Sequence, residues 1–205
     1  MTINISNLSS LYIDILKEIG NIGAGNAATS LAKMIEKRID MNVPVVRILE
    51  ISEVTDILGG AEIPVIGILI GVSGEIKGTM MFILELEAAY ALVNILMGKP
   101  LESRDEFSEI EYSALREVGN ILSSSYLSAL STLTNLKVVP TVPDLAVDMA
   151  GAILSVPAIE FGKVGDTVLY IETEFYQGTE KVVGDFFLIL EVDSYEILLK
   201  ALGVI

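Results

Sequence analysis

The sequence has 205 residues, of which 52% are hydrophobic, and it carries a formal net charge of −15 from 13 basic and 28 acidic residues. Its size and hydrophobic content suit one duplicated domain or two small domains with a substantial core. The acidic charge argues against nucleic-acid binding, which needs clustered lysine and arginine, and it disfavours contact with anionic membrane surfaces.

The residue types that are missing narrow the possible chemistry. There is no cysteine and no histidine. The chain therefore has no thiol or disulfide chemistry, and it lacks the usual general base and the commonest metal ligand. The N-terminus has no basic segment followed by an apolar core, which argues against a signal peptide. The longest apolar run, at 63–72, is far short of the ~20 residues that a membrane span needs. We therefore expect a cytoplasmic protein with no membrane span.

A long helix is predicted at 7–37, with Ser9 or Ser10 as its N-cap. Helical spacing places Asp14, Glu18 and Asn21, together with Gly25, on one face. The apolar residues that it places on the opposite face are Tyr12, Ile15, Leu16, Ile19 and Ile22. The helix is therefore expected to bury an aliphatic side and to expose a narrow polar stripe.

Three glycines lie inside this predicted helix, at Gly20, Gly23 and Gly25. Each costs about 1 kcal/mol relative to alanine in a helix interior. Two explanations stay open: the helix packs closely on its neighbours here, or the backbone of a partner approaches it.

Alternating apolar residues and turn signals predict the rest of the first half. The elements, in order, are a strand at 45–51 that begins after Pro44, a short segment at 52–58, strands at 65–72 and 76–86 around a turn at 73–75, and a helix at 87–97.

The second half repeats this order after a charged linker at 102–105. A second long helix is predicted at 108–133, and it places Ser113, Glu117 and Asn120 on one face. The elements expected after it are an apolar segment at 145–156 preceded by Pro140 and Pro143, strands at 167–176 and 182–192 around a turn at 177–179, and a helix at 193–202.

The two halves also match in sequence. The stretch that ends in Glu18-Ile-Gly-Asn21 recurs as Glu117-Val-Gly-Asn120, and each asparagine is followed at the same distance by a proline, Pro44 or Pro143. Matches continue between 78–96 and 184–202 at a larger offset, so the extra residues must lie in the middle of the second half.

This duplication predicts a single domain over 1–205 built of two repeats, at about 7–100 and 106–205. The expected fold class is α+β, with long helices packed on an antiparallel β-sheet and a pseudo-twofold axis that relates the two polar stripes. The sequence leaves open whether the strands form one sheet or two.

The repeated glutamate and asparagine are neighbours on a helix surface, because residues three apart face the same side. A carboxamide can both donate and accept, so it can hold a water and fix its line of attack. The carboxylate can anchor a cationic group of a partner. Neither group is a good nucleophile, so the pair suits orienting water against a substrate that is already activated and brings its own metal. A polar stripe is often only a solvated helix face, but a solvated face need not repeat Glu-x-x-Asn with a proline at the same spacing.

The pattern Asp/Ser-x3-Glu-x2-Asn-x22-Pro resembles the signature of the CheC/CheX/FliY family of chemotaxis phosphatases, and of its CheC-type members most of all. The residues that carry it are Asp14, Glu18, Asn21 and Pro44 in the first half and Ser113, Glu117, Asn120 and Pro143 in the second.

The resemblance implies a phosphatase that acts on the phosphoaspartate of the response regulator CheY. In that role, Asn21 and Asn120 would orient the attacking water, and Glu18 and Glu117 would contact a lysine of the regulator. The Mg²⁺ would belong to the regulator, so that this chain needs no cofactor or metal of its own.

The same resemblance implies a second partner, the receptor glutamine deamidase CheD. The segment at 145–156 is apolar apart from Asp148 and Ser155. It is either an exposed apolar helix that suits a partner or a run buried in the core. On the first account, Asp148 is our candidate for a CheD contact.

Two other functions fit parts of the sequence. Residues 23–28 fit the dinucleotide fingerprint G-x-G-x-x-A, but that motif needs a strand before it, and the spacing here is helical. The stronger rival is a non-catalytic binding module of the chemotaxis or flagellar-switch machinery that docks CheY or CheD. Retention of both asparagines favours the phosphatase, because docking alone does not demand them.

Overall fold

A computed structural model describes residues 10–100, 102–161, 167–178 and 180–203. Within these ranges the chain forms two long helices, four shorter helices and seven strands. The elements are α1 (Ser10–Ile35), β1 (Asp40–Glu50), α2 (Ile51–Ile57), β2 (Pro64–Gly74), β3 (Gly78–Glu85), α3 (Leu86–Met97), α4 (Glu109–Thr134), β4 (Val138–Pro140), β5 (Asp144–Met149), α5 (Ala150–Phe161), β6 (Thr167–Gln177), β7 (Glu180–Leu190) and α6 (Val192–Ala201).

The predicted α+β class is confirmed, and the predicted order of helices and strands recurs in the structure. The start of the first predicted helix, including Ser9, lies outside the described residues. Pro44 lies inside β1, which begins earlier than predicted, at Asp40.

The apolar segment at 145–156 differs from both accounts of it. Its first part is the strand β5, whose residues Ala146 to Met149 are exposed, and its second part is the helix α5, which buries Ala150, Ile153 and Leu154. Asp148 therefore lies on an exposed strand at the edge of the sheet and not on a helix. The run reads as continuously apolar because an edge strand and a packed helix follow one another without a polar turn.

All seven strands belong to one antiparallel sheet, in the order β1-β6-β7-β3-β2-β4, and β5 also pairs with β2. The first strand of each half pairs with the other half, since β1 lies beside β6 while β4 and β5 lie beside β2. The central pair is β3 and β7, where Met81 lies opposite Phe187. The strand order is thus symmetric about the β3–β7 pair, as a pseudo-twofold axis between the halves predicts.

Helices cover both faces of the sheet. On one face, α1 and α4 pack against each other and, together with α3 and α6, against the large core that contains Ile66, Ile68 and Ile70 of β2. On the other face, α2 and α5 pack over a smaller core that contains Val65. A strand buried on both faces is apolar at successive positions, which explains why β2 does not alternate between apolar and polar residues.

The start of α4, which carries the second polar stripe, is fixed by a buried carboxylate. Glu111 is 4% exposed. Lys99, which follows α3, donates from Nζ to Glu111 Oε1 at 2.7 Å, while the N–H and Oγ of Ser108 donate to Oε2 at 2.8 and 2.6 Å. The Lys99 ammonium and the Ser108 donors lower the pKa of Glu111 from its ordinary 4.5 to about 2. Glu111 thus ties the end of the first repeat to the first turn of α4.

We expect Glu111→Gln to lower the free energy of unfolding by about 2 kcal/mol at neutral pH. The substitution removes the carboxylate charge that pairs with Lys99 and accepts hydrogen bonds from Ser108. The folded pKa lies below the ordinary value, so this stability is present above pH 4.5 and is lost as the pH falls towards 2. Urea unfolding at about pH 7 and about pH 3 should therefore show the difference between variant and wild type shrinking at the lower pH.

Glu109→Gln is the matched control, since Glu109 is an exposed glutamate in the same helical turn. It should change the free energy of unfolding by less than about 0.5 kcal/mol. An equal loss in both variants would mean that the buried carboxylate contributes nothing beyond a first-turn charge.

Candidate functional site

The first polar stripe lies on the solvent face of α1. Asp14, Glu18 and Asn21 are all exposed, whereas Leu16 and Ile19 on the other side of the helix are 1% and 4% exposed. The helical spacing therefore predicted the orientation of these five side chains correctly. One apolar residue departs from it: Ile22, predicted for the buried face, is 36% exposed because it lies at the border of the stripe.

The second stripe occupies the equivalent face of α4. Glu117 is exposed and Asn120 is half-buried. Asn120 Nδ2 donates to Glu117 Oε2 in a long hydrogen bond of 3.5 Å, so the carboxamide and the carboxylate face one another. The structure also describes the side chains of the first pair, Glu18 and Asn21, and it shows no hydrogen bond between them.

The two prolines of the motif occupy equivalent breaks in the sheet. Pro44 lies where the pairing of β1 with β6 shifts in register between Asn42 and Val45. Pro143 lies between β4 and β5, both of which pair with β2. A proline has no N–H to donate to a ladder, so it is tolerated at such an irregularity. In the first half the break is a shift within one strand, and in the second half it divides the strand into two.

The second stripe borders an open groove of about 390 Å³ between α4 and the loop that joins β4 to β5. The fold thus brings Ser113, Glu117, Asn120 and Pro143 together, as their shared motif suggested. The residues that line the groove are Ser113, Arg116, Glu117, Asn120, Pro140, Thr141, Val142 and Pro143.

The first motif position differs between the halves in chemistry as well as in identity. The Oγ of Ser113 donates to the carbonyl of Glu109 at 2.8 Å, so this hydroxyl is engaged with its own helix. Asp14 instead presents an exposed carboxylate. The first site therefore carries one more negative charge than the second.

Close packing explains two of the three glycines in α1. A Cβ on Gly23 would lie 2.5 Å from Tyr126 Cδ1 and 3.0 Å from the Tyr126 Cα, so α1 and α4 touch here. A Cβ on Gly20 would lie 3.3 Å from Val43 Cγ1 of β1. Gly25 is different, because nothing lies within 4 Å of a Cβ placed there.

The structure adds four residues to the second site that the sequence reasoning missed. The groove is also lined by Arg116, Pro140, Thr141 and Val142. A signal for Arg116 was present, because a basic residue precedes the glutamate in both halves, as Lys17 and Arg116. Val142 precedes Pro143 just as Val43 precedes Pro44, but this repeat does not indicate that Val142 is exposed beside the site.

These sites can orient and anchor, but they contain no strong nucleophile of their own. Among the described residues, no group of three or more acidic side chains is arranged to hold a metal ion. Asp148, the candidate partner contact, is exposed, and its Oδ1 accepts the N–H of Met149 at 2.7 Å. It lies on β5, apart from the residues that line the groove. The functional roles assigned to all of these residues stay predictions.

No helix in the described part of the chain is both long enough and apolar enough for a membrane crossing.

Comparisons with known proteins match both halves of the chain. The model of the CheC-like family matches residues 12–48 and 110–147, and each segment contains one Glu-x-x-Asn pair and its proline. The CheY-P phosphatase CheC of Bacillus subtilis is 37% identical over 195 residues, which are 93% of this chain and 93% of that protein. The flagellar motor switch phosphatase FliY of the same organism is 25% identical over 135 residues, 65% of this chain and 35% of that protein.

Among solved structures, the X-ray structure of Thermotoga maritima FliY has a similar fold. Its TM-score is 0.74 at 23% sequence identity, and the match covers 96% of this chain and 98% of that one.

Proposed function

This chain belongs to the CheC-like family, and from that premise we propose that it is a phosphatase that hydrolyses the phosphoaspartate of the response regulator CheY. The observation that carries the proposal is the pair of Glu-x-x-Asn sites, each presented on the outer face of a long helix. A relative that is 37% identical over 93% of both chains is named a CheY-P phosphatase, which supports the same substrate.

In the proposed reaction, water attacks the phosphorus of the acyl phosphate. A P–O bond to the water oxygen forms, the bond to the aspartyl oxygen breaks, and the products are inorganic phosphate and the free carboxylate. Because the acyl phosphate is already activated, positioning the water in line is the main task left to the catalyst. Asn21 and Asn120 suit this task, since each carboxamide can accept a hydrogen bond from the water and thereby fix its lone pair.

Glu18 and Glu117 have a different proposed role. Each lies one helical turn from its asparagine, at the distance at which side chains on one helix face the same ligand. A carboxylate there can pair with a lysine of the regulator and so fix the depth at which the asparagine enters. We expect the Mg²⁺ of the reaction to be carried by the phosphorylated regulator.

The proposal is tested by following the loss of radiolabelled phosphate from phosphorylated CheY with and without this protein. We expect catalytic amounts of the protein to accelerate the loss at least about tenfold. An unchanged rate, measured with a regulator that binds the protein, would refute the phosphatase and leave a binding module.

We further propose that CheD docks on the exposed strand β5. Val147 and Met149 are 47% and 53% exposed there, beside the acidic Asp148. Exposed apolar side chains on an unpaired strand edge are a surface that natural proteins otherwise protect, so a covering partner accounts for them. Asp148 would then pair with a basic group of CheD.

Asp148→Lys is expected to weaken CheD binding about tenfold, because it brings like charges together at the interface. Titration calorimetry with purified CheD measures the change. Asp144→Lys is the matched control, since Asp144 is the exposed acid at the other end of β5. Loss of binding in both variants, or in neither, would contradict a specific contact at Asp148.

A further inference from the structure

Val142 is an exposed apolar residue held at the rim of the second site. Its side chain is 84% exposed, and it borders the groove beside Glu117 and Asn120. Single exposed apolar residues are common and need no explanation by themselves. The case for Val142 depends on how its loop is anchored and on what happens at the equivalent place in the first half.

The loop that presents Val142 is fixed to the neighbouring strand. The N–H of Thr141 donates to the carbonyl of Gly71 at 2.8 Å, and the N–H of Gly71 donates to Thr141 Oγ1 at 2.8 Å. A Cβ added to Gly71 would lie only 3.0 Å from the Thr141 side chain, so the loop can approach β2 this closely because the strand has a glycine here. Pro143 restricts the backbone on the other side of Val142. Val142 is therefore held out to solvent by an ordered loop and would lose little freedom on binding.

The equivalent residue of the first half has the opposite environment. Val43 precedes Pro44 as Val142 precedes Pro143, but Val43 is 2% exposed and packs under α1 against Gly20. The difference follows from the sheet, because β1 continues through its proline, whereas β4 and β5 are separate strands joined by the loop. Of the two valines that precede the motif prolines, Val142 is therefore exposed at the rim of its site, whereas Val43 is buried.

We propose that Val142 is a specificity-determining contact of the second site, which packs on an apolar part of the regulator surface next to the phosphoaspartate. This inference rests on the proposed function. A regulator close enough for Asn120 to reach its acyl phosphate must cover the rim of the groove. The Val142 side chain is then buried in the interface. The first site must bind the same regulator without this contact, so the two sites differ in affinity.

The test isolates each site in turn. In an Asn21→Ala background only the second site can turn over, and there Val142→Ser should raise the KM for phosphorylated CheY about tenfold while kcat stays within about twofold. In an Asn120→Ala background, which leaves the first site, the same substitution should leave KM unchanged. Val139→Ser is the matched control, since Val139 is another valine with an exposed side chain, on the adjoining strand β4 and outside the groove.

The possible outcomes separate this inference from the function on which it rests. Hydrolysis by the second site with an unchanged KM in Val142→Ser overturns the inference and leaves the phosphatase intact. An equal rise in KM for Val139→Ser also overturns it, because a general loss of surface hydrophobicity would then suffice. If the wild-type protein fails to accelerate hydrolysis at all, the proposed function and this inference are overturned together. Binding to CheY that carries beryllofluoride and Mg²⁺, measured by calorimetry, gives an independent readout in which Val142→Ser should weaken affinity by the same factor.

Discussion

Replacing both Asn21 and Asn120 with alanine is expected to abolish at least about 99% of the acceleration of phosphate loss from phosphorylated CheY, which is about 2.7 kcal/mol of transition-state stabilisation. Affinity for the regulator should change by no more than a few-fold. Asn21 is exposed and Asn120 is half-buried beside the open groove, and neither belongs to a hydrophobic core, so truncation removes no core contact. The variant should therefore fold normally and dock but fail to hold the water.

The two single variants show how much of this loss of activity belongs to each site. Asn21→Ala leaves the second site intact, and Asn120→Ala leaves the first, so each single variant should retain the activity of the other site. Asn120 also donates to Glu117, a bond of 3.5 Å whose loss contributes little because it is long and partly solvated. Single-turnover measurements at saturating protein separate the chemical step from binding.

Asn26→Ala is the matched control for both substitutions. Asn26 is an exposed asparagine of α1 that lies outside the motif, so its truncation should leave the rate unchanged. Full activity in the double variant would show that the amides do not orient the water. Loss of binding together with activity would instead favour the docking-module alternative, in which the asparagines serve only as contacts.

Regular periodicity explains why much of the fold could be predicted. The helical spacing of α1 separates Asp14, Glu18 and Asn21 from Leu16 and Ile19, and all five side chains lie on the expected sides. The order of elements followed from turn signals and from the repeat. These features depend on local sequence, which is why a single chain reveals them.

The features that could not be predicted depend on partners distant in sequence. Val43 and Val142 each precede a proline, yet one is buried and the other is 84% exposed. Whether each valine is buried depends on how its strand pairs in the sheet. The strand β1 pairs with β6, whereas β4 and β5 pair with β2. The exposed strand around Asp148 is a similar case, because an apolar run does not say whether it lies at the edge of a sheet or in the core.

Gly23→Ala is expected to lower the free energy of unfolding by about 3 kcal/mol, because the added methyl meets the backbone of the other long helix. It would lie 2.5 Å from the Tyr126 ring and 3.0 Å from the Tyr126 Cα. The ring has little room to turn away, since it stacks on Phe186 and its hydroxyl lies 3.2 Å from Thr173 Oγ1. The helices must therefore separate, and the two polar stripes must move relative to one another.

Gly25→Ala, two residues further along the same helix, is a control that should change the free energy of unfolding in the opposite direction. Nothing lies within 4 Å of a Cβ at Gly25, so alanine there should only relieve the helix-interior cost of glycine and raise the free energy of unfolding by about 0.5–1 kcal/mol. Urea unfolding of both variants at one temperature gives the comparison. If both substitutions stabilised the protein, α1 and α4 could not be in contact at Gly23. The close helix contact that holds the two asparagine sites in a fixed relation would then be absent.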